Sequence, residues 1–164
     1  MVRAYVGIGS NLGDPLAQVS RALTRLAQLP GVDAVIASPL YRSAPLGPQD
    51  QPDYVNAVAA LDTELAPHAL LDALQALEQE QGRVRGAQRW GPRTLDLDLL
   101  LYGDLQLVDA RLTLPHPGLH ERAFVLYPLR DIAPDLDIPG HGPLGPLVAR
   151  CSDAGLVRLA TGVA

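Results

Sequence analysis

An α+β sandwich, with a mainly antiparallel sheet and helices packed on its faces, is the fold class this sequence predicts. The apolar patterns run in the order strand, helix, strand, strand, helix, strand, the split β-α-β arrangement of a ferredoxin-like sheet. Both helical segments carry a one-sided leucine stripe, so each can bury that stripe against one face of the sheet. At 164 residues the chain is long enough to bury a core without disulfide or metal staples and is expected to form a single domain over 1–164.

The first strand, Val2 to Ile8, rich in β-formers, runs into Gly7-Ile8-Gly9-Ser10-Asn11-Leu12-Gly13-Asp14, which reads as a strand ending in a turn. Asp14 and Pro15 read as the N-cap and first residue of a helix, on which Leu16, Val19, Leu23, Leu26 and Leu29 recur at helical spacing until Pro30-Gly31. Val32 to Tyr41 reads as a second strand, followed by a proline-containing loop over Arg42 to Asp53. Tyr54 to Thr63 is the third strand, with Tyr54, Asn56 and Val58 on one face. Pro67 opens a second helix with Leu70, Leu71, Leu74 and Leu77 as its stripe and Gly82 as its stop. A polar loop from Gly82 to Arg93 leads to a fourth strand over Thr94 to Tyr102, and Gln106 to Asp109 suggests a short return strand. Leu119 to Ile132 reads as helical with a kink or split at Pro128, Ala133 to Pro146 as turns, then a short helix near Leu147 and a short strand over Leu156 to Leu159.

Charge chemistry is concentrated between Arg83 and Tyr102. Arg83, Arg85, Arg89 and Arg93 precede Asp96 and Asp98 directly. In an extended strand Thr94, Asp96, Asp98 and Leu100 share one face, and Leu95, Leu97, Leu99 and Leu101 the other. The two carboxylates then stand about 7 Å apart at Cα, two residues at roughly 3.3 Å each, which suits a pair of divalent metal ions. Guanidinium groups fork around phosphate oxygens and carboxylates hold the metal that bridges them, so the pairing points to phosphoryl-group chemistry. A solvated strand face neutralised by Arg89 and Arg93 is the bland alternative. Aspartate is depleted in strands, and two on one face beside four arginines call for a cation or a partner. Trp90, the sole tryptophan, lies in this polar loop and reads as a cover for a planar ligand.

Composition narrows the classes further. Every basic side chain is arginine, because the chain has no lysine, which excludes a P-loop lysine and Schiff-base chemistry. The net charge of −5 argues against nucleic-acid binding through a broad basic surface. One cysteine, Cys151, excludes an internal disulfide and reads as structural. No apolar run is long enough for a membrane span, and the N-terminus enters strand-like sequence at once, so a cytoplasmic protein is expected. The glycines at 7, 9 and 13 give G-x-G-x-x-x-G, not the dinucleotide-binding spacing, and no further βαβ units follow.

Three segments together resemble the hydroxymethyldihydropterin pyrophosphokinases of folate biosynthesis: Ile8-Gly9-Ser10-Asn11-Leu12, the run from Tyr41-Arg42-Ser43-Ala44-Pro45-Leu46-Gly47 to Asp53-Tyr54-Val55-Asn56, and above all Arg89-Trp90-Gly91-Pro92-Arg93-Thr94-Leu95-Asp96-Leu97-Asp98. Pro115-His116 and Arg122-Ala123-Phe124 follow in the family's order. The resemblance implies transfer of pyrophosphate from ATP to the hydroxymethyl group of 6-hydroxymethyl-7,8-dihydropterin, releasing AMP, by an enzyme expected to be a monomer. By resemblance, Asp96 and Asp98 hold two Mg²⁺ ions, and Arg83 and Arg93 contact the phosphates during transfer. Gln75, Glu78, Arg85, Arg111 and His116 lie on the nucleotide side. The pterin stacks between Tyr54 and Phe124, hydrogen-bonds to Asn56 and to backbone near Ser43, Ala44 and Leu46, and is covered by Trp90 and Arg122. Pro117 and the pair Ser43-Ala44, which stands in place of a common Thr-Pro, depart from the family pattern, and the tail beyond Pro139 matches none of it. The rival readings are a non-catalytic ligand-sensing module and an RNA-binding sheet of the same topology; one Trp and one Phe with net acidic charge suit the latter poorly.

Overall fold

The structure, a computed structural model, describes residues 1–11, 13–43, 53–83 (83 by its backbone alone) and 95–159. In chain order the elements are β1 (Val2–Ser10), α1 (Pro15–Gln28), β2 (Val32–Ala37), β3 (Tyr41–Ser43), β4 (Tyr54–Thr63), α2 (Pro67–Arg83) and β5 (Asp96–Tyr102). There follow β6 (Leu107–Val108), β7 (Thr113–Leu114), a 3₁₀ turn over Leu119–Glu121, α3 (Ala123–Ile132), β8 (Asp137–Ile138), β9 (Gly142–Pro143), α4 (Leu144–Ala149) and β10 (Leu156–Arg158).

The antiparallel sheet has β1 at its centre, with β4 on one side and β5 on the other. Beyond β4 lie β2, paired near the C-terminal end of β4, and β3, paired near its N-terminal end, with β10 outside β3. The predicted second strand is therefore two. It breaks at Ser38-Pro39-Leu40, where Pro39 has no N–H to give a ladder. The Ser38 hydroxyl, accepting from Val58 N–H at 2.9 Å, bridges the gap. The return strand β6 pairs with β7 in a hairpin of its own, apart from the main sheet.

Helix α1 begins where its sequence chemistry says. Asp14 accepts from Ala17 N–H at 3.2 Å and Pro15 starts α1. Val19, Ala22 and Leu26 of α1 and Leu70, Leu71, Leu74 and Leu77 of α2 bury against Ala4, Val6, Ile8, Leu97 and Leu99, forming the core of one sheet face. Val125, Leu126 and Leu129 of α3 and Leu144, Leu147 and Val148 of α4 cover the other face, over Tyr5, Val58, Ala60, Leu100 and Leu101. Each leucine, isoleucine or valine among them contributes about 1.5–3 kcal/mol through burial. Helices thus lie on both faces.

The predicted 119–132 helix divides at Arg122 rather than Pro128. Arg122 is extended at φ −111°, ψ 111°, between the 3₁₀ turn and α3. Pro128 lies inside α3, where it forgoes the i→i−4 bond to the Phe124 carbonyl, and the helix continues to Ile132.

The face assignment of the fourth strand needs one correction. Val6 pairs with Leu99 and Tyr5 with Leu101, so Leu100 is an extra residue, a β-bulge. Past it the alternation changes phase, and Leu101 joins Leu100 on the α3 face instead of following Leu95, Leu97 and Leu99.

Candidate active site

Strand β1 runs two residues further than its sequence pattern suggested, and this extension builds the site. Gly7 and Gly9 lie within the strand, not in a turn after it. Gly9 is flanked by Asn56 on β4 and Asp96 on β5, and Gly7 by Val58 and Asp98. Residues opposite one another in a sheet point to the same face, so two missing side chains on the central strand leave a trough walled by the two aspartates and by Asn56. The trough is the floor of a cavity of about 190 Å³, roofed by Arg122, Phe124 and Val125 at the start of α3 and closed at the side by Ser43 and Tyr54.

Asn56 is buried, and its Oδ1 accepts from the Ser43 hydroxyl at 2.6 Å. Phe124 carries the Arg122 guanidinium 5.8 Å from its ring centre, a cation–π contact. That guanidinium also lies so close over Gly118 that a Cβ there would stand 2.5 Å from its Nε.

A second cavity, of about 350 Å³, follows the outer edge of β5 between α2 and the segment 109–117. Gln75 and Glu78 of α2, Arg111, His116, Pro117 and Asp98 line it. The Arg111 guanidinium is held at its rim by Asp72 Oδ1 at 2.6 Å and Gln75 Oε1 at 3.3 Å. The turn below is fixed by Asp109, whose Oδ1 accepts from the N–H groups of Arg111 and Leu112, both at 2.9 Å. Those two backbone bonds, with His68 beside it, hold the Asp109 carboxyl below its ordinary range. Glu78 Oε2 accepts from Leu97 N–H at 2.7 Å, satisfying a donor on a sheet edge.

His116 is tied to the same edge: its N–H donates to Leu100 O at 2.9 Å, and its Nδ1 accepts from Gly118 N–H at 3.2 Å. Burial lowers the His116 pKa; Asp98 opposes the shift, and Arg122 adds to it. The shift favours the neutral ring.

The structure thus gathers Ser43, Tyr54, Asn56, Asp96, Asp98, Arg122 and Phe124 around one cavity, and Gln75, Glu78, Asp98, Arg111 and His116 around the other. Asp98 lines both. Ala44, Leu46, Arg85, Trp90 and Arg93 lie outside the described residues, as does the side chain of Arg83. Sequence reasoning missed three features: Gly7 and Gly9 as the floor, Asp72 as the partner of Arg111, and Asp109 as the clamp beneath it. The paired glycines at strand spacing were the available signal, because an in-strand glycine marks a close approach. Cys151 is half-buried with its thiol pKa pushed up by burial, away from a reactive thiolate.

Comparison with known proteins places the chain in a family. A family model described as 7,8-dihydro-6-hydroxymethylpterin-pyrophosphokinase matches residues 5–134. The 2-amino-4-hydroxy-6-hydroxymethyldihydropteridine pyrophosphokinase of Pseudomonas aeruginosa is 57% identical over 157 residues, covering 96% of each chain. The enzyme of the same name from Haemophilus influenzae is 51% identical, covering 97% of this chain and 99% of its own. Among solved structures, an HPPK-DHPS in complex with substrates superposes with a TM-score of 0.72 at 11% identity, over 90% of this chain and 43% of that one. A Plasmodium falciparum HPPK-DHPS triple mutant gives 0.72 at 13% identity, over 91% and 43%. This chain spans less than half the length of those proteins, and at such identity the likeness concerns the fold alone. The family match and the two bacterial relatives, spanning nearly the whole length, establish that the chain belongs to the 7,8-dihydro-6-hydroxymethylpterin-pyrophosphokinase family.

Proposed function

We propose that this protein transfers the pyrophosphoryl group of ATP to the hydroxymethyl group of 6-hydroxymethyl-7,8-dihydropterin, releasing AMP, as a step of tetrahydrofolate biosynthesis. The observation that carries the reading is that Asp98 is common to two cavities of different character. One is a slot with Phe124 and Tyr54 on its walls and an amide on its floor, suited to a flat polar heterocycle. The other is lined by Arg111, His116 and Gln75 at a sheet edge, suited to a nucleotide. A group passing between the two ligands passes Asp98.

Asp96 and Asp98 are the residues that would hold the two Mg²⁺ ions, and the donor set fits. Both are hard oxygen ligands on one strand face, and among the described residues no third His, Cys, Asp or Glu completes a protein cage. Magnesium favours one or two carboxylates with phosphate oxygens and water supplying the rest. When bound, it neutralises triphosphate charge and orients the acceptor hydroxyl.

The chain's own groups position and screen. Tyr54 and Phe124 sandwich the pterin, Asn56 hydrogen-bonds its polar edge, and the backbone around Ser43, Ala44 and Leu46 completes that edge. Gln75, Glu78, Arg85, Arg111 and His116 hold the nucleotide. Arg83 and Arg93 meet the phosphates, and Trp90 with Arg122 covers the pterin. Phosphoryl-type transfer asks mainly for alignment and charge neutralisation, which these groups supply without a covalent intermediate.

The whole of 1–164 acts as one catalytic domain, a monomer working in the cytoplasm on small molecules and not on nucleic acid. Among the described residues no helix is long and apolar enough to cross a membrane. Incubation with ATP, MgCl₂ and the hydroxymethyl dihydropterin should yield one AMP per pterin consumed; release of ADP, or no nucleotide product, would defeat the proposal.

A further inference from the structure

Among the described residues the Ser43 hydroxyl hydrogen-bonds to the Asn56 amide, which lines the first cavity. Ser43 on β3 and Asn56 on β4 are diagonal neighbours on the same sheet face, because Tyr41 pairs with Asn56 and Ser43 with Tyr54. Their side chains meet at 2.6 Å. A separation that short belongs to an O–H···O bond rather than to an N–H···O bond, whose distances centre on about 2.9–3.0 Å. The contact therefore fixes which end of the amide is which: Oδ1 faces Ser43, and Nδ2 turns the other way.

Nδ2 lies over the backbone of Gly9, so close that a Cβ there would stand 3.0 Å from it. It is directed into the trough between β4 and β1. Tyr41, directly opposite Asn56, cannot compete for the amide because its hydroxyl donates to Asp131 on α3. Asn56 is 6% exposed, so turning the amide over would exchange the short O–H···O bond for a longer N–H···O bond to the same hydroxyl and leave Oδ1 facing the ligand.

We infer that Ser43 is a positioning residue that locks the Asn56 amide with its donor toward the cavity, so that the site selects a heterocycle presenting a ring carbonyl over one presenting an amino group there. This rests on the proposal that the cavity takes a pterin. The 4-hydroxy group in the name of the relatives is, in its lactam form, such a carbonyl. An N–H donor facing an amino group leaves two donors opposed in a desolvated slot, and sites built around a polar contact reject mismatched groups strongly.

The test compares binding of 6-hydroxymethylpterin and its 4-amino-4-deoxy counterpart to wild type, Ser43→Ala and Ser43→Thr by calorimetry, in the presence of Mg²⁺ and a non-hydrolysable ATP analogue. Wild type should prefer the 4-oxo compound. In Ser43→Ala the amide is free to turn, and the preference should shrink about tenfold, the worth of one hydrogen-bond mismatch. Ser43→Thr keeps the hydroxyl and should restore it. A general loosening of the sheet would weaken both ligands together and leave the ratio unchanged, and an unchanged ratio in Ser43→Ala overturns the inference. Equal binding of both compounds by wild type overturns it as well. If wild type releases AMP from ATP and the natural pterin while the ratio stays fixed, only the role of Ser43 falls; if it binds neither pterin, the proposed function falls with it.

Discussion

Replacing Gly9 by alanine separates the roles of floor and fold. Gly9 lies in the middle strand with no positive φ, so its backbone accepts any residue. The added Cβ would stand 3.0 Å from Asn56 Nδ2 and 4.0 Å from Val55 O, and the amide would have to retreat by a few tenths of an ångström. It cannot retreat freely, because Ser43 holds its other end at 2.6 Å. A hydrogen bond to the ligand displaced in this way loses about 1–1.5 kcal/mol, close to a tenfold rise in KM for the pterin. Stability should move little: alanine restricts the unfolded chain by about 0.4–1 kcal/mol more than glycine does, and the tight contact with the held Asn56 amide offsets that gain. Gly7→Ala is the internal control: its Cβ would meet the Leu100 side chain at 3.5 Å, an ordinary contact, and its effect on pterin KM should be the smaller. AMP formation with pterin varied at saturating ATP, together with thermal melts, measures both effects. A pterin KM for Gly9→Ala within about twofold of wild type, or a larger defect in Gly7→Ala, would refute the account of the floor.

Asp96→Ala and Asp98→Ala should each lower turnover by about a thousandfold or more while melting close to wild type, read by AMP release and circular dichroism; near-normal rates in either would remove the metal assignment. Glu78→Ala leaves the Leu97 N–H without its acceptor and should cost about 1–3 kcal/mol in urea unfolding, with Glu78→Gln recovering part of the loss; an unchanged midpoint would show that water replaces the carboxylate. Tyr41 has its phenol pKa raised to about 12, first by burial and then by Asp131. The folded state holds that proton more tightly than the unfolded chain, so this contribution is whole below about pH 10 and is lost between pH 10 and 12. Tyr41→Phe should flatten the stability profile across that window by about 1–2 kcal/mol, a value below the full shift because the hydroxyl and its carboxylate partner keep some contact with solvent; a profile parallel to wild type would contradict it.

How much of this was legible in advance differs by element. Capped, one-sided helices announced themselves: Asp14-Pro15 and the stripe from Leu70 to Leu77 stand where they were read, because local propensity and core burial agree there. The site residues of β4, Tyr54 and Asn56, were legible for the same reason, since strand alternation fixes their face. What stayed hidden depends on partners distant in sequence. The run Leu99-Leu100-Leu101 carries no mark of a bulge, since every position is leucine and either phase buries an apolar side chain. Gly7 and Gly9 resembled a turn because a strand interior normally avoids glycine; only the aspartates and Asn56 on the flanking strands supply the reason for the exception. Arg111 and Asp72 are likewise 39 positions apart and meet only because the β6–β7 hairpin folds against α2.

The bulge bears on the chemistry as well as on the core. It lies two residues beyond Asp98 and leaves the Leu100 carbonyl turned to the outer edge, where it accepts from His116 N–H at 2.9 Å. That bond fastens the 114–117 segment to β5 and brings the imidazole close enough to Asp98 for the carboxylate to act on its pKa, in a wall shared with Arg111. Without the extra residue the edge of β5 would continue in plain alternation, with no carbonyl at that point to hold the segment. One leucine that pairs with no residue on β1 thus allows a single strand to carry one cavity over its face and a second along its edge, with Asp98 lining both.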